Sequence, residues 1–253
     1  MPYTVAHAVV ALPFRRARWW SASGVAAGAM APDLPLWFRM GEPATSAQYR
    51  VTHALWATPT VDLLLGVLLL LWWAALLKPA LVAAAPVALR RRLPRRVPPA
   101  LPPLRAGVLA SIALGALTHV VWDEFTHVGR FGSMLLPVLD ERFGWFSLAS
   151  WLQYGCSVLG LAALLLAGAL ALRRRAAAEV QPELSSPARR AALAALGAGA
   201  VLGPAATLVL GGARAPATVV LDAVTAAVLV VLLGLSVLGT ALVTGVRADR
   251  VDA

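Results

Sequence analysis

The sequence predicts an all-α fold: a polytopic membrane helical bundle with five transmembrane helices plus an N-terminal segment that either re-enters or crosses as a sixth span. Three observations carry that prediction. The 253 residues are 60% hydrophobic and only 13% charged, a composition too apolar for a soluble domain. Several apolar segments reach the ~20 residues that a helix needs to cross about 30 Å of hydrocarbon. The net charge of +10 is gathered in short basic runs beside those segments, which fits the positive-inside rule and argues against nucleic acid as a partner.

Along the chain, "MPYTVAHAVVALPF" opens without a basic region before its first apolar residues, unlike a secretory signal. Residues 19–38, "WWSASGVAAGAMAPDLPLWF", are long enough to cross but contain Pro32, Asp33 and Pro35. They form either a sixth span, with both termini inside, or an interfacial or re-entrant element on the outer side. Spans are expected at about 59–77, 106–124, 151–172 and 191–211. A fifth segment, about 217–246, is longer than a bilayer requires, and Asp222 marks the level at which its membrane portion begins. The expected domains are 1–172, a membrane domain carrying the site; 173–190, a cytoplasmic basic linker; and 191–253, a two-helix membrane segment with a short tail. The Pro-rich "LPRRVPPALPPLR" reads as an extended spacer.

Charge in the loops sets the orientation. Loop 78–105 carries Lys78, Arg90, Arg91, Arg92, Arg95, Arg96 and Arg105 with no acidic residue, and 173–190 carries Arg173, Arg174, Arg175, Arg189 and Arg190 against Glu179 and Glu183. Both are expected in the cytoplasm of a multi-pass cell-membrane protein. Loop 125–150 balances Arg130 and Arg142 against Asp140 and Glu141 and is expected outside, as is the 212–216 turn. Trp56, Trp122, Trp145 and Trp151 then fall at the outer interface, and Trp72 and Trp73 near the inner one. The single cysteine, Cys156, rules out an intrachain disulfide and reads as core filler.

The chemistry gathers in "GALTHVVWDEFTH", residues 115–127. Four residues on a helix advance about 400°, so His119, Asp123 and His127 are expected to form one stripe climbing about 6 Å per step. Ionisable groups at membrane depth are expensive and face a bundle interior or a wet cavity. His53 in "YRVTHALWATP" and Asp33 in "AGAMAPDLP" are expected on the same side of the membrane. Imidazole with carboxylate is the donor set of zinc and similar divalent ions. The alternative is a polar cluster whose members hydrogen-bond one another. Glu124 should point away from the stripe, toward solvent or the outer side of a ligand, while Gln153 is expected to line the same cavity. Asp62 and Asp222 each stand alone at the outer end of a span and read as solvated or helix-capping.

The motifs "MPYTVAH", "GAMAPDLP", "THALW", "GALTHVVWDEFTH" and "SWLQYGCSVLG", in that order, resemble the bacterial membrane proteins of domain of unknown function family 4184 (DUF 4184), over about residues 1–170. Their order is also similar to the zinc-dependent phospholipase C and single-strand nuclease superfamily and to membrane-bound metal-dependent hydrolases. Matched motif by motif, this wider resemblance implies a zinc (Zn2+) site built from His7, Asp33, His53, His119, Asp123 and His127, with Asp123 as the bridging carboxylate. The wider group supplies a further histidine from a later helix; this chain has none after His127, and Gln153 stands roughly in its place. A six-span topology leaves His7 inside, away from the other ligands, whereas a re-entrant 19–38 keeps it with them. The activity implied is metal-dependent hydrolysis of phosphoester or lipid-linked substrates at the outer leaflet, set against a non-catalytic protein whose cluster is structural. Transport is a weaker idea, because the late spans lack paired interrupted helices.

Overall fold

The computed structural model describes residues 4–37, 47–93, 103–178 and 226–242, together with residues 193, 194, 197, 198, 201 and 205. A 3₁₀ helix, Thr4–Arg16, leads to α1 (Ala22–Met30), a 3₁₀ turn (Ala31–Asp33), α2 (Leu34–Trp37), α3 (Ala47–Thr52) and a second 3₁₀ turn (Leu55–Ala57). Helix α4 (Val61–Trp72) runs through a π-helical turn (Trp73–Leu77) into α5 (Lys78–Ala84), followed by α6 (Val87–Arg90) and α7 (Ala106–Thr126). Then come α8 (Phe131–Leu135), a 3₁₀ turn (Pro137–Asp140), a two-stranded antiparallel hairpin of β1 (Arg142–Phe143) and β2 (Phe146–Ser147), and α9 (Leu148–Arg173). An apolar helix, α10 (Ala226–Leu242), follows.

Among the described residues, three helices are long and apolar enough to cross a membrane: Val61–Ala84, Ala106–Thr126 and Leu148–Arg173. They match the expected spans 59–77, 106–124 and 151–172, and a bilayer is the environment such helices fit. The first runs seven residues further than expected, to Ala84. Lys78 and Pro79 do not end it: the Lys78 amide donates to the Trp73 carbonyl across the wide turn, and Pro79 stands in the first turn of α5, where a proline is tolerated. Of the two later spans, 191–211 lies almost wholly outside the described residues; within 217–246 the described part is α10, and Asp222 falls outside it. The core of the Pro-rich spacer, 94–102, also lies outside the described residues.

Residues 22–37 are not among the membrane-length helices. The nine residues of α1 rise only about 14 Å at 1.5 Å each. Pro32 and Pro35 account for the change to 3₁₀ geometry at Ala31–Asp33, since neither offers an amide hydrogen to continue the helix.

The chain divides into two compact units. The first comprises Met1–Leu36, Ala44–Leu70 and Pro103–Ala171. Its centre is the close pairing of α1 with α7. A Cβ added at Gly28 would run into the Ile112 carbonyl, and one at Gly115 into the Val25 carbonyl, so only glycine permits this approach. Ser111 and Gly115 on α7 thus lie against Gly24, Val25 and Ala29 of α1, with Gly107 one turn earlier against the Trp19 carbonyl, the small-residue packing that apolar helices use where burial of hydrocarbon gives no drive. Ser21 caps α1 by accepting the Gly24 amide at 3.1 Å, and its own amide donates to Ser111 Oγ at 2.9 Å. Around the pair, Ala27, Leu70 and Ile112 form a buried apolar cluster with Leu63, Val67 and Val108.

The second unit comprises Trp37–Pro43, Leu71–Pro102 and Leu172–Ala253. Leu77 and Ala80 pack against Leu235 of α10, and Trp72 Nε1 donates to Ser236 Oγ at 2.8 Å. Arg92 donates to the Leu172 and Arg175 carbonyls at 3.4 and 3.0 Å, placing a cation on the orphan carbonyls at the end of α9.

Candidate metal centre

The four-residue stripe on α7 continues past the small residues into His119 and Asp123, beyond the end of α1. His119 is 1% exposed, and its Nδ1 lies 2.7 Å from the Ala29 carbonyl. That carbonyl belongs to the last turn of α1, where a helix leaves its oxygens without intrahelical partners. A carbonyl can only accept, so Nδ1 carries the proton and Nε2 presents a lone pair when the ring is neutral. His53, just beyond α3, is held the same way: its Nδ1 is 3.2 Å from the Tyr49 carbonyl, and its ring stacks on Tyr49 at 3.9 Å.

The two Nε2 atoms face each other at 3.3 Å. Asp33 Oδ1 lies 3.5 Å from His53 Nε2 and 3.6 Å from His119 Nε2; Asp123 Oδ2 lies 3.4 and 3.6 Å from the same two atoms. Asp33 is anchored by its other oxygen, which accepts from Thr4 at 2.8 Å, while Oδ1 has no hydrogen bond among the described residues. Two neutral imidazole lone pairs and two carboxylate oxygens are all acceptors, so the group coheres only around a cation, either protons or a metal. Asp33, His53 and His119 form one group that could hold a metal ion, and His7, His119 and Asp123 another.

A family model described as Domain of unknown function (DUF4184) matches residues 1–245. The chain belongs to this family. The match extends past residue 170, the limit of the resemblance given above, into the carboxy-terminal region. No curated protein and no solved structure matches the chain.

In this DUF4184 chain the six expected site residues all lie around Asp123, but not as one helical stripe. His7, from the N-terminal 3₁₀ helix, stacks on the His119 ring at 4.0 Å and approaches the second oxygen of Asp123 at 3.8 Å. His127 departs from expectation: α7 ends at Thr126, and His127 is its C-cap in extended geometry, φ −124 and ψ 129. Its Nδ1 lies 3.2 Å from the Asp123 carbonyl and 3.7 Å from Asp123 Oδ2, while its Nε2 faces Gln153 Nε2 at 2.8 Å. The stripe of ligand-type residues therefore ends at Asp123, because the helix frays at a residue whose ring bonds back to the carbonyl four positions earlier.

A cavity of about 510 Å³ opens on the His7, Asp33, Asp123 and His127 side of the cluster, and Gln153 lines it as expected, with Cys156 beside it. Burial, together with the adjacent His119, pushes His7 down to about 4, so it is a neutral ring at physiological pH. Burial likewise lowers His127. At His53 burial pulls downward, but the Asp123 and Asp33 carboxylates outweigh it and raise the ring above its usual value. Asp33 shows the mirror image: burial pushes its carboxyl up, and His119 and His53 bring it below the ordinary range.

One sequence expectation is corrected. Asp62 is neither solvated nor a cap: it is fully buried, and neither carboxylate oxygen has a hydrogen bond among the described residues. It shares a face of α4 with Gly66 and Leu70, which pack against Gly28, Ile112 and Ala27, and that packing carries it inside. Glu124 accepts from Arg130 at 3.2 Å and from the Phe131 amide at 2.9 Å, so it ties down the start of α8. Thr4 and the Ala29 and Tyr49 carbonyls lie within the quoted stretches but are not among the expected site residues. The four-residue spacing of Gly24 with Gly28, and of Gly107, Ser111 and Gly115, is the signal that would have placed α1 against α7.

Proposed function

We propose that this protein is a membrane-embedded, metal-dependent hydrolase that holds a zinc-type ion at the outer end of its spans and acts on phosphoester or lipid-linked substrates at the outer leaflet. One observation carries the reading. Four ligand atoms at about 2.0–2.1 Å from a tetrahedral ion stand about 3.3–3.4 Å from one another. Five of the six separations among His53 Nε2, His119 Nε2, Asp33 Oδ1 and Asp123 Oδ2 run from 3.3 to 3.6 Å, and Asp33, His53 and His119 form a group that could hold one ion. These distances exceed good hydrogen bonds, which favours a shared ion over direct pairing. Two carboxylates and two neutral imidazoles balance a divalent charge, as a buried site requires.

The chemistry such an ion supplies when bound is Lewis acidity toward a phosphoryl or carbonyl oxygen and the acidification of water. The residues around it have separate tasks. The Ala29 and Tyr49 carbonyls aim the two rings by fixing their tautomers. His7 stands at the cavity wall beside Asp123 and, being neutral, offers a hydrogen-bonding ring nitrogen there without adding charge. Gln153 donates to His127 Nε2 and holds that ring at the mouth.

A structural ion is the competing reading, favoured by the four-ligand set itself. The open cavity against His7 favours catalysis. The test is zinc content and hydrolysis of bis(p-nitrophenyl) phosphate by detergent-purified wild type, Asp123→Asn and His7→Ala. Catalysis predicts that Asp123→Asn loses both metal and rate, and that His7→Ala keeps metal and loses rate. Stoichiometric metal with no turnover of this or any lipid-linked phosphoester supports the structural ion instead.

A further inference from the structure

The segment between α7 and α9 has its polarity reversed. In α8, Ser133 is fully buried and bonds back to the Arg130 backbone, donating to its carbonyl at 3.0 Å and accepting from its amide at 3.1 Å. Phe131, Met134 and Leu135 on the same short helix are each more than 60% exposed. A water-facing helix arranges these the other way round. The hairpin repeats the pattern: Gly144 turns at φ 66, and Trp145 at its tip is 84% exposed, with Phe143 and Phe146 exposed beside it. Exposed apolar side chains gathered this densely mark a contact surface.

The surface is held in place from both ends. Glu124 of α7 binds the Phe131 amide and the Arg130 guanidinium, and Trp151 of α9 donates to the Phe143 carbonyl at 2.8 Å while packing edge-on against Phe146. Only four residues separate the end of α7 at Thr126 from the start of α8 at Phe131, and β2 leads directly into α9. Both flanking helices are of membrane length and expose Trp122 and Trp151 at these same ends.

We infer that the 128–146 segment lies in the headgroup–acyl boundary of the bilayer that α7 and α9 cross, with Phe131, Met134, Leu135, Phe143 and Trp145 inserted as an interfacial anchor. The inference rests on reading those two helices as spans and is independent of the metal centre. Continuity with the exposed ends of the spans decides in favour of lipid, and the aromatic content is that of a membrane-interface belt. Asp140 and Glu141, both exposed, belong to the stretch between the two apolar parts and face the aqueous side of the layer.

The test uses the full chain with Cys156→Ser, carrying an environment-sensitive NBD label at Met134→Cys, Trp145→Cys or Asp140→Cys, in phosphatidylcholine vesicles. Emission at 134 and 145 should be blue-shifted relative to 140, quenched by lipids with a nitroxide high on the acyl chain and protected from aqueous iodide; 140 should show the opposite. Iodide quenching at 134 and 145 without nitroxide quenching overturns the inference. So does protection at those positions that vanishes as protein is diluted with lipid, which identifies a second copy of the chain as the occupant. Circular dichroism of the same labelled proteins reports that the helices are kept.

Discussion

Replacing His119 with Asn separates ligation from folding. The Asn side chain reaches roughly as far as Nδ1 of the imidazole, so it retains a donor for the Ala29 carbonyl at the site of the present 2.7 Å bond. It removes the Nε2 that faces Asp33, Asp123 and His53. A structural zinc ion is held with an apparent free energy of about 10–16 kcal/mol by four ligands, so one ligand in four represents about 3–4 kcal/mol, or roughly a 100- to 1000-fold loss of affinity. The small void left by the ring costs about 1–2 kcal/mol of stability. Elemental mass spectrometry of detergent-purified protein, with competition against a chromophoric chelator, reads the affinity; circular dichroism reads the helices. The expected result is an intact helical spectrum with zinc lost. An Asn variant that keeps the wild-type stoichiometry and affinity would refute the ligand assignment, and loss of helicity together with metal would show that the ring is needed for packing.

Metal affinity should fall as the medium is acidified from neutral into the mildly acidic range, because His53 is raised above its usual value and must lose a proton to ligate, costing about tenfold in affinity per pH unit once it is protonated. His7, at about 4, adds no dependence in that range; chelator competition across the pH series would contradict this if affinity stayed flat. Gly28→Ala should force α1 away from the Ile112 carbonyl, destabilise the protein by about 1–3 kcal/mol and weaken zinc binding at a site the residue never touches. Unchanged thermal unfolding and unchanged zinc content would remove the packing argument. A cysteine placed at Asp140 in a Cys156→Ser background should react with a membrane-impermeant maleimide in intact cells, and labelling only after permeabilisation would invert the orientation inferred from the loop charges.

Hydropathy and loop composition were enough to predict three helices now described, and the four-residue spacing of His119 and Asp123 was enough to predict that they share a helix face. Such features are local: they depend on residues within one or two turns, and the bilayer imposes the length. His53 and Asp33 were legible as ligand types, and His7 only through the family resemblance. Their meeting was not legible from spacing, because His119 bonds Ala29 and His53 across separations of 90 and 66 residues. Tertiary structure decided the rest. Glycine contacts set how closely α1 approaches α7, and that approach selects which nitrogen of His119 faces the cluster. The end of α7 at Thr126 turned His127 toward Gln153, and the packing of α4 took Asp62 out of water. A sequence names the donors a site can draw on; the ångström-scale separations that gather them into a group able to hold a metal ion arise from helix packing, which no single segment encodes.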